Sequence, residues 1–261
     1  MKLAGAERLL ESASLSWRNW QWNPPLVAAL AACAVLYHLH PRVRANPRQR
    51  LFFWAGMLAL VVALCSPLEA GARLLLWLHM VQHLLLMLVA APLLAASLPA
   101  PLLGWLTRRP VVGGVLWWLW NPWVATALYN GAVLAWHLPT LYAWVLRWEP
   151  AHALQHLSFL GTGVVFWSVL LSPAPRNPTP GQRLVIVGTS AVAQFLPGFV
   201  LAVADRVLYA PYLETPRLWG WSPLDDQRWA GVMMWVSMNL AYAAAALWVA
   251  TRWLRSDRAD R

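Results

Sequence analysis

The chain has 261 residues, of which 60% are hydrophobic and only 11% charged, against about 25% charged in soluble domains. That balance excludes a soluble globular protein. A formal charge of +10 would suit nucleic acid in a soluble chain, but most of the arginines here sit in short loops between apolar runs, where they orient a membrane protein instead.

The first residues, MKLAGAERLLESASLSW, break any apolar run at Glu7, Arg8 and Glu11. No cleavable signal peptide is expected, and residues 1–21 read as an interfacial segment. Seven apolar runs follow, near 22–39, 51–66, 74–97, 121–138, 151–171, 183–204 and 228–250. Each is long enough, or nearly so, to cross about 30 Å of hydrocarbon. The expected fold is all-α: a single integral membrane domain over 1–261, with a bundle of about seven transmembrane helices at 22–250 and a tail at 251–261. The fourth run starts at Asn121-Pro122, a cap followed by a first-turn proline, and the preceding VVGGVLWWLW reads as interfacial. Pro197-Gly198 should kink or open the sixth. The loop near 205–227 has room for a short helix.

Seven spans place loops 1–2, 3–4 and 5–6 and the tail on one side. That side holds twelve basic residues (Arg42, Arg44, Arg48, Arg50, Arg108, Arg109, Arg176, Arg183, Arg252, Arg255, Arg258 and Arg261) and only Asp257 and Asp260 as acids. By the positive-inside rule it is cytoplasmic, so the N-terminus lies outside and the C-terminus inside.

The histidines then fall into place. His79 and His83 occupy the outer turns of helix three, His137 the outer end of helix four, and His152 and His156 the first turns of helix five. Five imidazoles share one depth, and each i,i+4 pair shares a helix face. His38 and His40 lie at the opposite, cytoplasmic end of helix one. Met87 continues the stripe of His79 and His83, and helix seven adds Met234 and Met238. Polar groups at this depth face the bundle interior.

Imidazole and thioether with almost no carboxylate or thiolate suit Cu(I) better than zinc, magnesium or calcium. Cys33 and Cys65 stand alone, without a CxC or CxxC pair. The metal candidates are His79, His83, His137, His152, His156 and Met234, with Met80, Met87, Met238 and Asp226 secondary. Packing is the competing reading for Met80, Met87, Met233 and Met238, and capping of helix seven for Asp225, Asp226 and Gln227. The HMVQH pair lacks the glutamate of the zinc-protease helix motif, so no catalytic residue is assigned and no enzyme is expected. Two alternatives stay open. A b-type cytochrome would use two of these histidines on haem iron, and a copper transporter would need a polar path across the bilayer. Segments such as MLVAAPLLAA and AYAAAALWVA offer almost none.

The segment LLWLHMVQHLLLMLVAAPLLAASLP, then NGAVLAWHLPTLY, HALQH and DQRWAGVMMW, in this order, resemble the multi-span CtaG family of cytochrome c oxidase assembly factors over roughly Arg50 to Val249. The resemblance implies a multi-pass protein of the bacterial inner membrane that binds copper near the periplasmic face and helps deliver it to the copper-B centre. It places functional weight on His79, Met80, Gln82, His83, His137, His152, His156, Asp226, Gln227 and Met234. Expected partners are the catalytic subunit of a haem-copper oxidase, membrane lipid and a periplasmic copper donor, with no nucleic acid. The small-residue face AYAAAA at 241–246 adds a homodimer. A single-span factor that shares the family name relies on a Cys-x-Cys pair, which this chain lacks.

Overall fold

Proline after a small polar residue starts most of the long helices. Asn46-Pro47 opens α2 (Pro47–Cys65), Asn121-Pro122 opens α7 (Pro122–Trp136) and Thr179-Pro180 opens α10 (Pro180–Val203). In each, the cap side chain accepts a first-turn N–H that no carbonyl of the helix can reach, and proline has no N–H to satisfy. Asn46 with Gln49, and Thr179 with Gln182, complete reciprocal capping boxes.

The structure, a computed structural model, describes residues 16–39, 41, 43, 46–171 and 176–259. Arg42, Arg44, Asp260 and Arg261, used above to orient the chain, lie outside the described residues, as do His40 and most of the expected N-terminal segment. Among the described residues every regular element is helical. Besides those named, these are α1 (Pro24–Leu39), α3 (Pro67–Ala72), α4 (Leu76–Ser97), α5 (Ala100–Thr107), α6 (Pro110–Leu119), α8 (Pro139–Arg147), α9 (Glu149–Leu171) and α11 (Pro223–Ala259).

Five helices, α2, α4, α9, α10 and α11, are long and apolar enough to cross a membrane. The protein is a polytopic helical bundle. Two of the seven expected spans come out short. Helix α1 has 16 residues, about 24 Å at roughly 1.5 Å per residue. Helix α7 has 15 residues and passes as a span only together with α6, from which it is bent by 73°. The bend falls at Trp120-Asn121, just before Pro122, where proline disfavours helix in the preceding residue.

Helix α10 continues through Pro197 without opening. A further irregularity lies in α4, which widens to a π-helical turn over Leu85–Ala90. There the Ala91 N–H bonds back to the Leu86 carbonyl, and Pro92 has no N–H to give, so the Met87 carbonyl loses both candidate partners within the helix. It takes the indole N–H of Trp167 on α9 instead, at 2.8 Å.

Helix α4 is central, packed against α2, α9 and α11. The α10–α11 pair crosses where glycine faces glycine: a Cβ on Gly231 would stand 2.5 Å from the Gly198 carbonyl oxygen and 2.5 Å from the Ala202 nitrogen. Helix α11 starts earlier and ends later than the expected 228–250, so residues of the expected tail continue it as helix. Acids at 225 and 226 in its first turn and arginines near its end both suit the helix dipole. The long loop carries two short 3₁₀ turns, Ala210–Leu213 and Leu218–Gly220.

Candidate metal centre

The positions of His79 and His83 depend on where α4 begins. Leu75 at its N-cap has no capping side chain. Asp226 supplies the cap from α11, its two carboxylate oxygens accepting the N–H groups of Leu76 and Trp77 at 2.9 Å each. The sequence suggests a cap for its own helix, but Asp226 caps a different one, and Ser222 serves α11 by accepting the Asp225 N–H. Gln227, next along, ties down the loop: it accepts the Leu208 N–H and donates to the Arg206 carbonyl.

All five predicted histidines come together. His79 and His83 have ring centroids 4.3 Å apart, and His152 and His156 4.2 Å. The two helices meet through His79 and His152 at 5.1 Å and His83 and His156 at 5.4 Å. His137, at the C-cap of α7, closes the group 6.3 Å from His83. All five are buried, His79 completely.

At least one ring nitrogen of each is free of hydrogen bonds among the described residues. His137 Nδ1 lies 2.7 Å from the Val133 carbonyl, which can only accept, so Nδ1 carries the proton and Nε2 presents a lone pair. Tyr212 donates to the Ala72 carbonyl at 2.9 Å, so its oxygen is open to the Nδ1–H of His79 at 3.0 Å. In that tautomer His79 Nε2 is free as well. Burial holds the Tyr212 phenol well above its usual pKa, so the proton it donates stays in place. Among the described residues, Nε2 of all five histidines and Nδ1 of His83 are buried with no hydrogen-bond partner. Each such atom costs about 1–3 kcal/mol when left unpaired.

Two overlapping sets have donor atoms within 4.8 Å of one another: His79, His83 and His156, and Glu69, His152 and His156. Around a bound ion the donors sit about 3.5 Å apart, so small side-chain rotations close either set. Glu69, in the short α3, is buried and held from both sides. Arg73 donates to it at 3.0 Å and also reaches Glu149 at 2.9 Å, while Gln82 donates to its other oxygen. A cleft of about 440 Å³, lined by Arg73, Glu149, Glu214 and Tyr212 among others, opens onto His79 and His152.

Met80, Met87, Met234 and Met238 are buried members of the main apolar core, and Met238 sulfur faces the Tyr242 hydroxyl at 3.9 Å. That hydroxyl also reaches Tyr129, which lies eight residues before His137, about 12 Å deeper along α7. His38 stacks on Trp54, and Tyr37 beside it bonds the Ser97 carbonyl at the far end of α4. Cys65 is a buried core residue. The sequence reading misses Glu69, Tyr142, which lies 2.9 Å from His79 Nδ1, Tyr212, and Gln155, whose buried amide has no partner among the described residues.

A family described as cytochrome c oxidase caa3 assembly factor matches residues 30–256. The chain belongs to the Caa3_CtaG family. The match takes in all five histidines, Glu69 and the Asp226 cap, so the imidazole group lies wholly inside the family region of this assembly factor. No curated protein and no solved structure matches the chain.

Proposed function

We propose that this assembly factor binds copper, as Cu(I), at the imidazole cluster and passes it to the copper-B centre of a haem-copper oxidase. The observation that carries the reading is the convergence of five buried, unpartnered Nε2 atoms in one group. Neutral imidazole suits copper. The cost of burying an ion grows with the square of its charge, so a monovalent ion is favoured where the buried carboxylate, Glu69, is already paired with Arg73.

His79, His83 and His156 form the inner position. Glu69, His152 and His156 form an outer one beside the cleft, and sharing His156 lets the ion step between them by exchanging one ligand at a time. The cleft is where a periplasmic donor would load the site. Haem is disfavoured because the rings touch one another and Phe159 stands 4.7 Å from His83, which leaves no slot for a porphyrin between two imidazoles. In this reading α1 and the α6–α7 pair complete seven spans in a bacterial inner membrane, N-terminus outside, with the cluster toward the periplasmic face.

The test is made in cells that depend on this chain for a haem-copper oxidase. With His79→Ala/His83→Ala in place of wild type, the purified oxidase should keep its haem and lose most of its copper-B, with the variant present in the membrane at normal level. Full copper-B in that strain would overturn the reading.

A further inference from the structure

At the end of the bundle away from the imidazoles, two cavities share a wall made by Leu171, Trp248 and Val249. The first, about 330 Å³, holds the polar side chains of Arg183, Arg252, Asn177 and Ser256 against a wall that is otherwise largely apolar. The second, about 280 Å³, is apolar and runs between α4, α9 and α11. Its floor is Ala241, Ala244 and Ala245, small residues on one face of α11 that leave a channel between larger neighbours such as Trp167 and Leu88.

Among the described residues neither Arg183 nor Arg252 forms an ion pair. Arg183 is fixed by bonds to the carbonyls of Pro178 and Leu170 and to Asn177 Oδ1. The Arg252 guanidinium lies over the Trp248 ring, 5.1 Å from its centroid. A preorganised pair of cations beside tryptophan, continuous with a narrow apolar channel, matches a phosphodiester carrying a hydrocarbon chain.

We propose that this double cavity binds one anionic phospholipid, its phosphate between Arg183 and Arg252 and one acyl chain along the alanine face. A soluble phosphate would use only the polar half. A second copy of this chain packed symmetrically on the same face would bring two more arginines against these two. The site is independent of the metal reading.

The test is native mass spectrometry of the detergent-purified protein incubated with equal amounts of phosphatidylglycerol and phosphatidylcholine. Wild type should retain phosphatidylglycerol at least about fivefold over phosphatidylcholine, following the paired charge-assisted contacts. Arg252→Gln and the channel-filling Ala244→Leu should each cut that retention about threefold or more, while Arg109→Gln, an exposed arginine elsewhere, leaves it unchanged. Melting temperatures near wild type confirm that both variants are folded. Equal retention of the two lipids, equal effects of Arg252→Gln and Arg109→Gln, displacement by millimolar inorganic phosphate, or a lipid-free dimer would each overturn the proposal.

Discussion

Replacing Asp226 with Ala should loosen the start of α4 and, with it, the imidazole cluster. The side chain is fully buried and both its oxygens are engaged, accepting the Leu76 and Trp77 N–H groups at 2.9 Å. Deleting the carboxylate strands two buried donors that no other side chain caps. At about 1.5–3 kcal/mol for each hydrogen bond to a charged group, the loss is about 3–6 kcal/mol. At roughly 2–4 °C per kcal/mol for a chain of this size, that lowers the melting temperature by about 6–24 °C. Asp226→Asn keeps one acceptor oxygen and should lose about half as much. Asp225→Ala is the control: that side chain is exposed and bonded locally to Ser222, and its removal should cost about 1 kcal/mol or less. Thermal unfolding in detergent, followed by tryptophan fluorescence, gives all three values. An Asp226→Ala melting point no lower than that of Asp225→Ala would refute the capping argument.

Gly231→Ala should separate α10 from α11, because the new methyl meets backbone at 2.5 Å on the facing helix; a loss of about 1–3 kcal/mol or more is expected from overpacking. Gly131→Ala, with open space around its Cβ, should be neutral or slightly stabilising, and the same melting assay compares them. Tyr212→Phe removes the hydroxyl that holds His79 and bonds the Ala72 carbonyl. It should weaken copper binding about 10–100-fold, as loss of a ligand's outer partner does, read by competition with a Cu(I) chelator. Gln227→Ala frees Leu208 and Arg206, so hydrogen exchange in the loop 204–222 should quicken while the helix cores stay protected.

Features carried by neighbouring residues were legible in the sequence. The cap-and-proline pairs at 46–47, 121–122 and 179–180 place helix starts to within a few residues, and the two i,i+4 histidine pairs share helix faces whatever the tertiary structure does. Matching depth for His137 followed from alternating span direction alone. What long-range packing decides was not legible. Asp226 looks like a cap for its own helix, and only the α4–α11 contact shows it capping another. Glu69 sits in a short segment between spans, and nothing nearby signals that Gln82 and Arg73 will hold it beside His156. The methionines match the histidines in helical spacing, but spacing does not set which way a flexible thioether turns; Met238 sulfur, for one, faces the Tyr242 hydroxyl. The widening of α4 before Pro92 was not legible either, because the freed Met87 carbonyl finds its partner in Trp167 of another helix.

The central proposal is that copper is held in the imidazole cluster, by sets drawn from His79, His83, His152 and His156 with Glu69. It is tested most directly by X-ray absorption at the copper edge on Cu(I)-loaded, detergent-purified protein, with metal content measured for wild type and for His79→Ala/His83→Ala. The account predicts a Cu(I) edge with only nitrogen or oxygen neighbours, imidazole scattering from at least two histidines, no haem absorption band, and loss of the metal in the variant. Copper retained at full stoichiometry in the variant, or a first shell dominated by sulfur, would contradict it.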